Sequence, residues 1–319
     1  MADQQGQDRS EQGRVFRLLT RADFDGVISA VLLRERGLID EIAFAQPNDM
    51  QAGRVPVTPD TITSNLPFVE GVHLAFDHHV SEITRVGPRP NLIIDGRAPS
   101  AARVIYEHYG GRAGFPEIAE DMIEAVDKAD SADYDEMDIL APDRWTMLNF
   151  VIDPRTGLHR LKHFAISNDQ LMVDLSHYCR RHPVDEIMHI PDVEERVHLY
   201  LQHKEQAEHQ TRRNARRRDN LMIVDFRREP MIFACNRFMV YALFPEINIS
   251  LYLSRASRPG VIEIAVGKSI LNRTARTDVG HLLLEYGGGG HETAGTCQVP
   301  EAEADRVAAE LATRIIADG

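Results

Sequence analysis

Two aspartates one residue apart, Asp23 and Asp25, stand directly before Gly26 in the run Thr20-Arg21-Ala22-Asp23-Phe24-Asp25-Gly26. Carboxylates at that spacing can reach one hard or borderline divalent cation, and the glycine permits a tight exit into the next element. An isolated D-x-D serves equally well as a helix cap, so the pair needs company. Asp77-His78-His79 provides it, because two adjacent imidazoles beside a carboxylate offer nitrogen and oxygen ligands suited to manganese, zinc or iron. A backbone-bonded His79 and a solvated His78 would account for one histidine, less readily for the whole triplet behind an apolar run. Asp127 and Asp130 lie three residues apart in a helical pattern, near one face, and spacing alone leaves both as candidates. A different chemistry belongs to Gly287-Gly288-Gly289-Gly290-His291. Four glycines lose more conformational freedom than a plain connection requires, and their N–H groups can point at an anion with His291 as a further donor. A flexible surface loop is the alternative, although the apolar Ala294 and Cys297 favour an ordered one.

These residues need elements to hold them. Arg14 to Leu19 predicts a strand and VISAVLLRERG from Val27 a helix, so the first acidic pair falls in a strand-to-helix turn. EIAFAQ, VHLAF and NLIID predict further strands, the second running straight into Asp77, and Ser100 to Tyr109 and Glu117 to Asp130 predict helices. Strands alternating with helices indicate a mostly parallel sheet, whose ligands gather outside the carboxyl ends of the strands. The polar stretch from Asp192 to Arg218 predicts an exposed connector helix ending in Arg212, Arg213, Arg216, Arg217 and Arg218. Beyond it LMIVDF, MIFAC, INISLYLS and VIEIAVG predict strands, TDVGHLLLEY a helix, and Glu301 to Ala317 a last helix. Val266-Gly267-Lys268-Ser269 is no P-loop, since that motif's first glycine would have to stand at Ile262.

The expected class is α/β in two domains with a cleft: a tail at 1–13, a mostly parallel domain with flanking helices at 14–182, a connector helix at 183–218, and a smaller mixed-sheet α/β domain at 219–319. No apolar run reaches the roughly 18 residues of a membrane span, and the first dozen residues lack a signal peptide's pattern, so a cytoplasmic protein is expected. Cys179, Cys235 and Cys297 are an odd set at wide spacing, which fits buried thiols. A formal net charge of -13 argues against holding duplex DNA by broad phosphate neutralisation. Any anionic substrate must be gripped locally, by metal ions, arginines or backbone amides.

Taken in order, the D-x-D-G turn, Asp77-His78-His79 and the GGGGH run resemble the DHH/DHHA1 family of phosphoesterases, from about Arg14 to Val299. The resemblance implies hydrolysis of phosphate esters or anhydrides in short oligonucleotides, nucleotide bisphosphates, dinucleotides, polyphosphate or pyrophosphate. It also implies two Mn2+ ions in the N-terminal domain, substrate held by the C-terminal domain, and room for a homodimer. Carried over residue by residue, Asp23 and Asp25 match the first motif's acids, His78 a metal-binding histidine beside Asp77, and Asp127 or Asp130 the fourth motif's acid. His79 would act on the proton or support a ligand. Arg21 stands where the first motif begins with histidine, and Asn65 where the second motif has its bridging aspartate. Arginine cannot ligate a cation and a neutral amide is a poor bridge, so one ion instead of two, Mn2+ or Mg2+, is an open outcome. Arg21 either stands in for the missing charge or simply pairs with Asp23.

The leading reading is therefore a metal-dependent phosphoesterase for a small nucleotide or short oligonucleotide, with GGGGH on the terminal phosphate and Arg255, Ser269, Asn272 and Arg273 as further phosphate contacts. The alternative is a catalytically impaired nucleotide-binding regulator that keeps the cleft. A nucleic-acid or partner surface at the arginine cluster ranks third, because charge runs on connector helices are usually solvated.

Overall fold

The computed structural model describes residues 13–161 and 163–319, so the tail expected at 1–13 lies outside the described residues apart from Gly13. The described chain divides into two compact units. The first takes the chain up to Asp133, with Asp143–Pro154 and Leu158–Val197; the second takes Tyr134–Pro142, Arg155–Gly157 and His198–Gly319.

The first unit is built on a five-stranded parallel sheet of β1 (Phe16–Thr20), β2 (Ile39–Phe44), β3 (Thr61–Ser64), β4 (Leu74–Asp77) and β5 (Leu92–Ile94), in the order β2-β1-β3-β4-β5. Register pairs Thr20 with Ser64, Ser64 with Phe76 and Asp77 with Ile94. The carboxyl ends of β1, β3 and β4 are thereby level, and Arg21, Asn65 and the Asp77 turn fall along one edge. Strand β3 is the element that sequence patterning did not predict: TITS is short and polar, yet all four residues are buried.

Helix α1 (Phe24–Glu35) follows β1 and is buried from Phe24 to Leu33, so it lacks the polar stripe of a surface helix. It packs against α3 (Ala101–His108), α4 (Glu120–Asp130) and α5 (Asn168–Tyr178), while α2 (Val80–Val86) follows β4. Burial of Val27, Ile28, Val31, Leu32 and Leu33 contributes about 1.5–3 kcal/mol for each side chain, which fixes the helix against the sheet edge. Its N-terminus is set by Asp23, whose side chain accepts from the Gly26 N–H at 3.0 Å. The Thr20 hydroxyl donates to the Ser64 carbonyl at 2.9 Å, and Ser29 and Ser64 share a hydroxyl contact at 2.8 Å, which tie the turn to β3.

The second unit holds a six-stranded mixed sheet of β6 (Ala215–Arg218), β7 (Leu221–Asp225), β8 (Ile249–Arg255), β9 (Val261–Lys268), β10 (Gly289–His291) and β11 (Ala294–Pro300), ordered β10-β11-β9-β8-β7-β6. Only β7 and β8 pair in parallel. Apolar residues of this sheet, such as Leu251 and Ile264, form one core with Leu283 of α7 (Val279–Leu284) and Leu311 of α8 (Ala304–Asp318). The long connector helix, α6 (Pro191–Asn214), stops earlier than expected: Arg216, Arg217 and Arg218 lie on edge strand β6, where exposed charge discourages pairing with another chain. The MIFAC run, expected as a strand, is irregular. There Phe233 and Ala234 spend their N–H groups on Gln210 and His203 side chains, not on a ladder. Strand β9 runs through Val266 to Lys268, which leaves no P-loop there. Among the described residues no helix is long and apolar enough to cross a membrane.

Gly26 is the residue on which the acidic turn closes. A methyl group there would collide with the Arg21 carbonyl oxygen and press on Thr20 Oγ1 at 3.0 Å. Gly26→Ala should therefore cost about 1–3 kcal/mol, read as an earlier urea midpoint at unchanged slope; an unshifted midpoint would mean the turn yields without strain.

Candidate active site

Asp25 is almost wholly buried at the first turn of α1. Both of its oxygens face the N-terminus of α3: Oδ2 accepts from Ala101 N–H at 3.1 Å and Oδ1 from Ala102 N–H at 2.8 Å. Unsatisfied amides and the helix dipole make that end a natural seat for an anion. Burial nevertheless pushes the carboxyl pKa well above its usual range, helped by the negative charge of Asp130 and opposed by the Ala102 N–H.

His78 brings the second ligand type to the same place. Its Nδ1 lies 3.2 Å from the Ala98 carbonyl, which fixes the tautomer and leaves the Nε2 lone pair facing inward. That Nε2 is 3.0 Å from Asp130 Oδ2 but has no directed hydrogen-bond partner. Close approach without alignment fits two donor atoms aimed at a shared point. Burial lowers the imidazole pKa, but the adjacent Asp130 carboxylate and the Asp25 charge outweigh it and raise the group to about 9. One ligand atom from each of Asp25, His78 and Asp130 lies within 4.8 Å of the others.

The two acids that spacing left open are separated by their neighbours. Asp127 is engaged by Arg103 Nε at 2.8 Å and by the Ser100 hydroxyl at 2.8 Å, so it anchors the cap of α3, while Asp130 reaches His78. Asp77 likewise serves its own turn: Oδ1 accepts from His78 N–H at 2.8 Å and lies 2.7 Å from His79 Nδ1. Its other oxygen is buried without a partner. Sequence reasoning missed the Ala98 carbonyl and the Ala101 and Ala102 amides, which carry no residue-type signal; Ser100 before an apolar helix was the only clue to them.

Along the β1 and β3 ends the groups differ in kind. Arg21 Nε lies 3.3 Å from Asp23 Oδ2. Asn65 is buried in left-handed backbone, with φ of 56°, and neither side-chain amide atom has a hydrogen-bond partner among the described residues.

In the second unit, the expected glycine loop is a turn and an edge strand. Gly287 ends the turn after α7, while Gly289, Gly290 and His291 form β10 against β11. Methyl groups at Gly288 or Gly290 would strike the Thr296 or Ala294 carbonyl oxygens, and one at Gly280 would sit 2.6 Å from Gly290 O. Close backbone packing therefore explains Gly288 and Gly290, and left-handed backbone (φ of 72°) explains Gly287, while β10 remains the edge of the sheet. Lys268, which sequence reasoning weighed only within the rejected P-loop, ion-pairs with Glu292 at 3.1 Å beside this strand. Ser269 is buried and its hydroxyl accepts from Leu271 and Asn272 N–H groups, while Arg273 Nε donates to Ile270 O, so this loop is held by its own bonds. Arg255 pairs with Ile262 at the far end of β8 from Ile249, which pairs with Lys268; the sheet does not bring it to the glycine strand.

Two carboxylates and one oriented imidazole are a donor set for a borderline divalent cation, which would quench the repulsion between Asp25 and Asp130 and occupy the otherwise unpartnered Nε2 of His78. No family profile and no curated protein matches the chain. Among solved structures, a pGpG-specific phosphodiesterase from Vibrio cholerae is 48% identical, aligns over 95% of this chain and 100% of its own, and superposes with a TM-score of 0.84. The DHH domain of a member of a ribosomal-protein family (13% identity, 99% of this chain and 90% of its own, TM-score 0.59) shares the fold. So does RecJ from Thermus thermophilus solved with Mn2+ (14%, 98% and 54%, TM-score 0.56). An identity near one half across the whole alignment, on top of the Asp25, His78 and Asp130 geometry, carries more than architecture: the chain belongs to the DHH/DHHA1 family of phosphoesterases.

Proposed function

We propose that this protein hydrolyses a short linear dinucleotide of the pGpG type, using a divalent cation held by Asp25, His78 and Asp130. The convergence of those three side chains at the strand ends carries the reading, and the 48% identity to a pGpG-specific phosphodiesterase supplies the substrate class. Manganese is the proposed ion and magnesium the other candidate, since both accept carboxylate oxygen while imidazole favours the softer of the two. When bound, the cation supplies the positive centre against which a phosphate oxygen and the attacking water are oriented.

The chain's own residues supply the rest. Asp77 holds His79 through Nδ1, so the Nε2 of His79 is the atom to accept the proton from water and to return one to the leaving oxygen. Asp25 and the α3 amides fix the charge balance behind the cation, and Ala98 keeps the His78 ring from turning. A compact dinucleotide suits a chain with a net charge of -13, because a long polyanion would run within the screening length of about 8 Å of much negatively charged surface, while a dinucleotide meets chiefly the charges fixed at the site. Residues 287–291 and Lys268, at the β10 edge of the second unit, are proposed as phosphate contacts. A cytoplasmic location belongs to the same proposal.

Incubation of the purified protein with pGpG and manganese should release guanosine monophosphate, and a chelator should abolish release. Uncleaved pGpG that stabilises the protein equally with and without manganese would instead make it a nucleotide-binding regulator. The two neighbouring acids offer a second check. Asp130→Asn should weaken manganese binding, by calorimetry, by about a hundredfold or more. Asp127→Asn should leave binding nearly unchanged and cost about 1–2 kcal/mol of stability through Arg103 and Ser100. Equal losses of binding in both variants would overturn the assignment of Asp130.

A further inference from the structure

We infer that this site takes one divalent cation per chain and that the Arg21 guanidinium is the permanent second positive charge beside it. The inference deepens the proposed function, on which it rests for the phosphate substrate. Its metal count, however, stands on the side chains alone.

Among the described residues one cation has a converging set of donors and a second does not. Asp25, His78 and Asp130 converge. The other close cluster, Asp77, His78 and His79, is not independent of it. It reuses His78, whose Nδ1 faces Ala98 O, so the ring has one inward lone pair to give. In that cluster Asp77 Oδ1 already accepts from two backbone N–H groups and contacts His79 Nδ1.

The ground toward β1 and β3 is hostile to a dication. Asp23 is a carboxylate there, but unlike Asp25, whose oxygens meet neutral backbone amides, it already has a cationic partner: Oδ2 faces Arg21 Nε at 3.3 Å, while Oδ1 caps α1 through Gly26 N–H at 3.0 Å. Arg21 is a donor-only group with no lone pair to offer a cation. Asn65 brings a neutral amide where an anion would be needed to balance a second ion. It is buried at 1% exposure, and neither amide atom has a hydrogen-bond partner among the described residues, so the amide caps no turn. Aspartate also adopts left-handed backbone, so φ at this position does not by itself require the amide.

A guanidinium has consequences that a second metal would not. It never dissociates, it presents a planar fork of donors to phosphate oxygens, and it is placed to offset the negative charge that builds on phosphorus during attack. The positive charge at the site then has one exchangeable part and one fixed part.

The test counts metal without reference to turnover. Full-length protein loaded with manganese and desalted should contain one ion per chain by elemental analysis, with the six-line spectrum of an isolated manganese ion by electron paramagnetic resonance. The double variant Arg21→His/Asn65→Asp should rise to two ions with an exchange-coupled spectrum. Two ions per chain in the unaltered protein, or a folded double variant that stays at one, would overturn the inference. The unaltered protein's count decides the matter by itself if the double variant does not fold. Arg21→Met should keep one ion and the same unfolding temperature. Its kcat on pGpG should fall by about a hundredfold or more, with partial recovery on adding guanidinium ion. A loss of rate that added guanidinium leaves untouched would remove Arg21 from the charge role. An unaltered protein that carries one ion but leaves pGpG intact would refute the substrate reading and leave the metal count standing.

Discussion

A buried carboxylate seated on a helix N-terminus is the constraint around which the first unit is arranged. Asp25 is held by the Ala101 and Ala102 amides, yet its burial and the facing Asp130 disfavour its charge. Neither hydrogen bonding nor proximity removes that conflict, and a proton or a cation between the acids does. Each neighbouring element then has one orientation that serves it. Helix α1 must start where Asp23 caps it, α3 must aim its amides at Asp25, and α4 must bring Asp130 to His78 while Arg103 ties Asp127 back to α3. The acids of this site divide into those that hold helix ends and those that face the cation position.

That division also marks what sequence could and could not disclose. Strands β1, β4 and β5 and helices α1 and α3 announce themselves by apolar runs bounded by turn residues, so the strand-acid-helix order was legible. Strand β3 was not, because TITS carries no alternation: it is buried on all sides by neighbours that lie far away in sequence. Asp127 and Asp130 share a helical face, and what separates them is a long arginine arriving from another helix. Backbone groups such as Ala98 O have no spelling in sequence at all. The arginine cluster at 212–218 was legible as charge but not as shape, since helix propensity extends past Asn214 while pairing with β7 wins from Ala215 onward.

The glycine run shows how one composition signal admits two physical causes. Sequence reading attributed GGGGH to a clamp because glycine loses more entropy on ordering than a plain connection requires. In the folded unit the run is an edge strand laid so close to α7 and β11 that Gly280, Gly288, Gly290 and Gly295 have no room for a side-chain carbon. Steric exclusion accounts for Gly288 and Gly290 and left-handed backbone for Gly287, so the number of glycines says little by itself about phosphate. What bears on an anion is the position that close packing leaves: an edge strand beside Lys268.

The overall charge and the site chemistry are linked by distance. A chain carrying -13 must keep its attraction for a phosphorylated ligand inside the screening length, which means charges fixed at the contact and not spread over a face. Arg21 meets that requirement because its anchor, Asp23, is itself locked as the cap of a buried helix. The guanidinium is consequently held by the same turn that sets Asp25, and Gly26 is the residue whose missing side chain lets that turn close. A cationic group paired to the acid that caps the same turn is kept near the site's acids, so the balance of charge at the strand ends follows from the fold.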